Sequence, residues 1–454
     1  MADDNKTIYD YDSGTVFEGG TEGTVLDEGT DGTVLEAEDT DGTVLENEDF
    51  GGTVLEEDES GISAVRQSEK KITDSDFSLG NILLSTYRVE SDAFKGGMGS
   101  VWRVKHLNWN VDLAVKRPKP SLFVSEKHKE NFTEECKNWI GLGLHPNIVS
   151  CYYIRMLGDV PTIFSEWMEY GSLESHINDE SLYEGDEDEV QKRLLDIAIQ
   201  FGRGLCFAHQ KKLIHQDVKP DNLLLTTDWE AKVSDFGLAK ARSYMLGADE
   251  TMWDLPDNAT QMTPSGGRTP SYCSPEQAES LPLTIRTDIY SWAVSILEMY
   301  MGSKPWAHGS ELTGPMVSAV CEEYFDMCRV TMPQSLQTLI RDCLKSDPED
   351  RPHDFEIIEN RLKERYSEVT GKAYTRKAPD VVGENAASMN NLALSYLDIG
   401  MVDEAKKLLK KASNSTWEGA NLAVYNEWLL NNFVGAKTQS IAENPAWFLG
   451  EAAR

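Results

Sequence analysis

Three short polar segments, lying in a fixed order between apolar stretches, constrain this chain more than its bulk composition does. The first is Phe94-Lys-Gly-Gly-Met-Gly-Ser-Val101, with Ala114-Val-Lys116 ending fifteen residues further on. The second is His215-Gln-Asp-Val-Lys-Pro-Asp-Asn222, and the third is Asp235-Phe-Gly237 after the strand-like Ala231–Ser234. Glycines between two strands let backbone N–H groups approach phosphates that a Cβ would block. Alone, such a hairpin is a common structural device. All three segments in this order and at these spacings leave almost no room for a purely structural use of the same residues.

The surrounding pattern orders the chain. Val89 to Val104 and Asp112 to Lys116 carry the alternation of strands around a glycine turn, and Val149–Met156 and Thr162–Trp167 read as two more strands. Phe132 to Leu142 has apolar residues at helical spacing. Beyond Gly171 the signal turns helical, over Glu189–His209, Leu283–Met301, Met316–Tyr324, Ser335–Leu344 and Phe355–Tyr366. A small strand-rich lobe followed by a larger helical lobe is what this order implies.

On these segments the chain resembles the eukaryotic-type, or Hanks-type, Ser/Thr protein kinase family over roughly 280 residues. The resemblance implies an α+β fold of two lobes, a small antiparallel β lobe and a large helical lobe. It also implies ATP and Mg²⁺ as cofactors, protein substrates, and transfer of the γ-phosphoryl group to protein hydroxyls in signalling. Carried over residue by residue, Lys116 holds the α- and β-phosphates, its charge fixed by a helix carboxylate, best matched by Glu135 with Glu134 as the fallback. Gly96, Gly97 and Gly99 cover the phosphates. Val101, Ala114 and Leu224 enclose the purine, while Glu166 and Met168 belong to the hinge and Ser165 is the small gatekeeper. Asp217 orients the substrate hydroxyl and accepts its proton, Lys219 neutralises the transferring group, and Thr269 hydrogen-bonds that pair. Asn222 and Asp235 ligate Mg²⁺. Glu276 is expected to form a buried pair with Arg351, and Asp288 to anchor the backbone around Asp217. Lys219 and Thr269 point to the Ser/Thr type.

Two departures stand out. The family's first loop glycine is Phe94 here; an aromatic there either covers the phosphates or clashes with the tight turn, and a stiffer loop that still binds nucleotide is expected. The arginine that usually precedes the catalytic Asp, and pairs with phosphate on the activation loop, is Gln216. Activity is therefore expected to depend little on loop phosphate. Asp235 to Glu276 is a long segment with a Ser/Thr-rich stretch over Ser243–Ser265, in which Thr260, Thr263 and Ser265 are unranked candidates for autophosphorylation.

Charge is concentrated at one end. The net charge is −34, and residues 1–60 alone contribute −19, from 20 acidic residues and one lysine. Such a segment buries too little apolar surface to offset its ordering entropy, so it is expected to be disordered. It is also a repeat: Gly-Thr-Val-Phe/Leu-Asp/Glu begins at Gly14, Gly23, Gly32, Gly42 and Gly52. Each unit sets Thr15, Thr24, Thr33, Thr43 or Thr53 three residues before an acid. Phosphothreonine with a defined +3 residue resembles the ligands of forkhead-associated domains, which makes a protein of that class a candidate partner. A solubilising acidic tail and a pseudosubstrate are the competing readings.

The acidity argues against binding nucleic acid or anionic lipid. Seven scattered cysteines suggest free thiols in a reducing compartment. No run reaches the roughly 18 apolar residues of a membrane span, and the first residues lack signal-peptide character. A cytoplasmic protein without membrane insertion is expected.

The boundaries that follow are a tail over 1–78, a kinase domain over 79–366, a linker over 367–384 and a helical region over 385–454. Within the last, Ala387–Ala412 resembles one tetratricopeptide repeat through Leu392, Ala393, Tyr396, Gly400 and Ala405, with Asn421–Ala436 as a degraded second copy. Such an appendage on such a kinase looks more like bacterial architectures. The opposed reading is a pseudokinase or adaptor scaffold that recruits partners through the tail and C-terminal helices. Lys116, Asp217, Asn222 and Asp235 discriminate, because pseudokinases commonly lack at least one of the four, and all are present.

Overall fold

Alternation with a period of two builds the first lobe. The computed structural model describes residues 72–96, 99–107, 110–123, 138–143, 145–236, 269–312, 323–376, 386–398 and 402–414, with Phe132 and Cys136. Strands β1 (Ile82–Leu83), β2 (Tyr87–Val89), β3 (Phe94–Lys95), β4 (Gly99–His106), β5 (Val111–Pro118), β6 (Cys151–Leu157) and β7 (Val160–Glu166) form one sheet. Its order is β1-β2-β4-β5-β7-β6, with β3 paired to β4, and every pairing is antiparallel. On the inner face Trp102 opposes Val115 and Val104 opposes Leu113, all within a core that also holds Phe164 and Tyr153. The intervening residues therefore point the other way, and Val101, Ala114 and Lys116 roof the cleft below.

The second lobe is helical. Its helices are α1 (Leu173–Asn178), α2 (Glu187–Gln210), α3 (Pro275–Ala278), α4 (Ile285–Met301), α5 (Gln334–Cys343) and α6 (Phe355–Thr370), with a small hairpin of β8 (Leu223–Leu225) and β9 (Ala231–Val233) facing the cleft. α2 starts where Asp186 accepts from the Glu189 N–H at 2.9 Å in a capping box, with three acids in its first turn to meet the helix dipole. α4 is capped by Thr284 and stops at Gly302, whose φ of +74° favours glycine. Its Ile289, Tyr290, Trp292, Val294, Ile296 and Leu297 are fully buried on every side, as expected for the lobe's central helix. The described residues of the expected helix at Phe132–Leu142 are helical or turn. No helix among the described residues is long and apolar enough to cross a membrane.

Ordered packing extends past two of the expected boundaries. The tail was to end at residue 78, yet Phe77 is 4% exposed and stacks on Trp102 with centroids 4.4 Å apart. Asp74 receives the Arg117 Nε–H at 2.8 Å. An acid-rich stretch gives no warning that one aromatic fits a slot on the sheet, so the lobe's packing begins earlier. The linker was to start at 367, but α6 runs to Thr370. Beyond it, Tyr374 donates to Asp196 on α2 at 2.6 Å, and Arg376 pairs with the same carboxylate at 3.0 Å.

The last described elements are α7 (Ala386–Asp398) and α8 (Val402–Ser413), an antiparallel pair closed by Ala393, Ala405, Leu409 and Ala412. Small residues let the two helices approach, as the repeat-like pattern requires. Tyr396 packs in that contact, while Leu392 turns to the large core of the kinase lobes. Gly400 and Asn421–Ala436 lie outside the described residues, as do the five repeat threonines, Thr260, Thr263, Ser265 and most of Met316–Tyr324. α7 lies against β6, the sheet's edge strand, where the Ser395 hydroxyl accepts the Ile154 N–H at 3.3 Å. An uncovered edge strand invites foreign pairing. Leu392→Asp is expected to undock α7, lower the melting temperature by about 5 °C and speed hydrogen exchange at the Ile154 amide. Unchanged exchange there would show that α7 does not protect the edge.

Candidate active site

Between the lobes lies a cavity of about 600 Å³. Of the residues expected at a nucleotide site, Gly96, Gly99, Val101, Ala114, Lys116, Glu166, Met168, Leu224, Asn222 and Asp235 all line it, together with Ser165. Gly97 and Glu135 lie outside the described residues, so the expected helix partner of Lys116 does too.

The roof requires glycine at one position in particular. A Cβ on Gly99 would sit 2.2 Å from the Arg117 carbonyl oxygen, where the two strands close together. Gly96 has room for a Cβ within the protein, and its N–H closes the turn onto the Gly99 carbonyl at 2.8 Å. Lys116, at the end of β5, forms an ion pair with Asp235 Oδ2 across the cavity. Asp235 takes a left-handed backbone at φ +61°, a conformation that costs a non-glycine residue about 1 kcal/mol. The strain is carried at the residue whose carboxylate is turned to the lysine.

At the hinge, Glu166 directs its side chain away from the purine space. Lys232 Nζ lies 2.5 Å from Oε1, and the Ser150 N–H donates to Oε2 at 3.3 Å. What the hinge offers a ligand is therefore backbone. Ala114 and Leu224 stand on the roof and floor strands, in keeping with the expected purine slot.

Next to the cavity is a second, tighter group. Lys219 Nζ lies 2.9 Å from Asp217 Oδ2 and donates to Thr269 Oγ1 at 2.9 Å, and Thr269 in turn donates to Asp217 Oδ1 at 2.9 Å. Asn222 Nδ2 donates to the Asp217 carbonyl at 2.8 Å and to Oδ2 at 3.1 Å. All of these but Thr269 sit on the loop before β8, which has little regular structure, so its shape comes from hydrogen bonds. The fully buried Asp288, in the first turn of α4, accepts the N–H groups of His215 at 2.7 Å and Gln216 at 2.8 Å. The His209 ring nitrogen Nε2 lies 2.8 Å from the same carboxylate. The His215 ring reaches the Ser234 carbonyl at 2.8 Å and packs on Phe236 at 4.7 Å, tying the loop to β9. Gln216 adopts φ +65°, and its carbonyl accepts from Gln277 Nε2 at 2.9 Å.

Glu276 and Arg351 pair as expected, in two bonds of 2.7 and 2.8 Å. Burial alone would raise the Glu276 pKa, but the hydrogen bonds and charge of Arg351 hold it below the usual carboxylate range.

Among the cavity-wall residues that the sequence reading did not single out are Trp139 and Trp167. Trp139 follows Glu135 by four positions in the sequence, and that i, i+4 spacing was a legible signal. Its indole N–H donates to the Val149 carbonyl at 3.1 Å, which holds the ring at the back of the cleft. Trp167 had no signal beyond its place in the hinge.

Residues 87–366 match the family described as the protein kinase domain. The chain belongs to the protein kinase family. Among curated kinases, it is 26% identical over 322 residues to a probable serine/threonine-protein kinase of Clostridium acetobutylicum, covering 69% of this chain and 45% of that protein. It is 34% identical over 236 residues to the serine/threonine-protein kinase CDG1 of Arabidopsis thaliana, covering 51% of this chain and 50% of that one. The chain thus spans about half the length of these curated relatives. The solved kinase domain of Mycobacterium tuberculosis PknI aligns at 21% identity with a TM-score of 0.47, covering 63% of this chain and 99% of that one.

Proposed function

We propose that the chain is an ATP-dependent protein Ser/Thr kinase, on the strength of one observation: Asp217, Lys219 and Thr269 form a closed hydrogen-bonded group beside a cavity lined by Lys116, Asn222 and Asp235. In this reading the substrate hydroxyl lies at Asp217, which orients it and takes its proton as the oxygen attacks the γ-phosphorus. The bond from that phosphorus to the β-phosphate oxygen breaks, and ADP leaves. Lys219 offsets the charge of the transferring phosphoryl group. Lys116 holds the α- and β-phosphates, and the glycine hairpin offers its backbone above them. Such chemistry needs positioning and electrostatics more than covalent participation.

The donor set fits Mg²⁺. Asn222 commits its amide nitrogen to Asp217, so its amide oxygen and the Asp235 carboxylate, on two residues that line the same cavity, would supply hard ligands. When bound, the ion neutralises charge on the phosphates. The remaining fold positions these residues.

The five repeated threonines support a second element of this reading. Phosphate on each would add about −1.5 to −2 charges and strong acceptors for an arginine-lined pocket of the forkhead-associated class, with avidity from five tethered copies. Incubating full-length protein with radiolabelled Mg-ATP, beside Asp235→Ala, tests both parts. Label is expected on wild type and absent from the variant, with mapped sites at Thr15, Thr24, Thr33, Thr43 and Thr53. Equal label on the variant would refute the kinase reading; label elsewhere only would refute self-generated docking.

A further inference from the structure

Phe94 stands where the glycine hairpin of a protein kinase ordinarily begins with glycine, and cross-strand register decides where its ring goes. It lies directly opposite Val101, and directly opposed residues share a face of the sheet. Val101 lines the nucleotide cavity, and so does Phe94. Two positions along β4, Arg103 projects from that same face. Under this row sits Trp167, just past the end of β7 at the hinge. The Phe94 ring lies 5.8 Å from the indole at 39°. The Arg103 guanidinium is 5.8 Å from the same ring and is held by Asp112 at 2.5 Å and Glu169 at 3.6 Å. Roof and hinge are thus joined at the cleft mouth by an aromatic contact, with a fixed cation against one of its partners. Phe94 is nevertheless 56% exposed, so the ring keeps apolar surface open to the cleft mouth.

We propose that Phe94 and Trp167 form an aromatic latch across the purine end of the cleft, which parts to admit a purine nucleotide and closes over it. The proposal rests on the nucleotide-site reading given above. A glycine at position 94 would remove the aromatic contact across the mouth, leaving Arg103 against Trp167 and Glu169. With the phenyl in place, nucleotide departure requires breaking the ring contact, so the latch acts on exchange, and ADP release becomes a slow step of turnover. The bound purine covers ring surface of Phe94 that is otherwise exposed.

Stopped-flow release of ADP labelled with a methylanthraniloyl group, chased by excess unlabelled ADP with Mg²⁺, tests this on the full-length chain. Phe94→Gly and Trp167→Ala are each expected to release ADP roughly three- to tenfold faster than wild type. The double variant is expected to be no faster than either single one, because both remove the same contact. Phe94→Tyr, which keeps the ring, should release like wild type. A Phe94→Gly release rate equal to wild type, or additive effects in the double variant, would overturn the latch while leaving the nucleotide site intact. Wild type that fails to bind labelled ADP would instead overturn the nucleotide reading and the latch with it. Should Trp167→Ala not fold, the comparison of Phe94→Gly with Phe94→Tyr still decides, since an exposed ring on a two-residue strand carries little of the fold.

Discussion

Asp217→Asn is expected to lower kcat by about 10²- to 10⁴-fold, with nucleotide affinity and melting temperature near those of wild type. The substitution is nearly isosteric, and its local hydrogen bonds can be re-formed. An asparagine can turn its oxygen to Lys219 and Asn222, which both donate to Oδ2 in the native loop. Its amide nitrogen then faces Thr269, whose hydroxyl donates to Oδ1 in the wild type. A hydroxyl accepts as readily as it donates, so the group closes again with the Thr269 proton reversed. What is lost is the carboxylate that takes the substrate proton. Asp217 is not among the residues that line the nucleotide cavity, so the loss belongs in kcat and not in binding. Steady-state phosphoryl transfer, nucleotide titration and thermal melting on one preparation check this. A kcat within tenfold of wild type would remove Asp217 from the chemistry.

The second large effect lies far from the cleft. Arg351→Leu is expected to destabilise the helical lobe by about 3–5 kcal/mol, the usual result of stranding one member of a buried pair. The Arg351 side chain is wholly buried against Glu276, and Thr287 donates to the same carboxylate at 2.9 Å. Arg351 also donates to the carbonyls of Arg286, Lys345 and Ser346. The variant leaves those acceptors and a buried carboxylate short of donors, and the melting temperature should fall by about 10 °C.

Acid gives a signature. The Glu276 pKa is held down in the folded chain by Arg351, against the upward push of burial. Stability from a depressed carboxylate is fully present above its unfolded pKa of about 4.3 and is lost as pH falls through the folded value. The gap between wild type and Arg351→Leu should therefore be full at neutral pH and shrink in acid. Denaturant melts at pH 7 and below pH 4 measure it. A gap that stays constant would assign the loss to packing instead of charge. Residual activity in Arg351→Leu should follow the folded fraction, unlike Asp217→Asn, which stays folded and inactive.

What could be read from the order of residues was the chemistry and the sheet's alternation. Lys116 falls on the cleft face because it alternates with the core residues Leu113 and Val115 on the same strand. Asp217, Lys219 and Asn222 come as one short segment, so their mutual geometry is nearly local, and Thr269 joined them through its likeness to a known loop. The long apolar helix at Ile285–Met301 was equally legible, since a helix apolar all round has to be central.

Tertiary structure decided the rest, for one physical reason: these contacts join residues whose local sequence carries no trace of the partner. Asp196 meets Tyr374 across 178 positions, and Ile154 meets Ser395 across 241. An edge strand does not announce which helix will cover it, and an acidic stretch does not disclose the slot that takes Phe77. Phe94 shows both sides. Its departure from glycine was visible in the sequence, where it left a ring over the phosphates or a clash in the turn equally open; the register of β3 against β4 and the placing of Trp167 at the hinge turned it into half of a contact across the cleft.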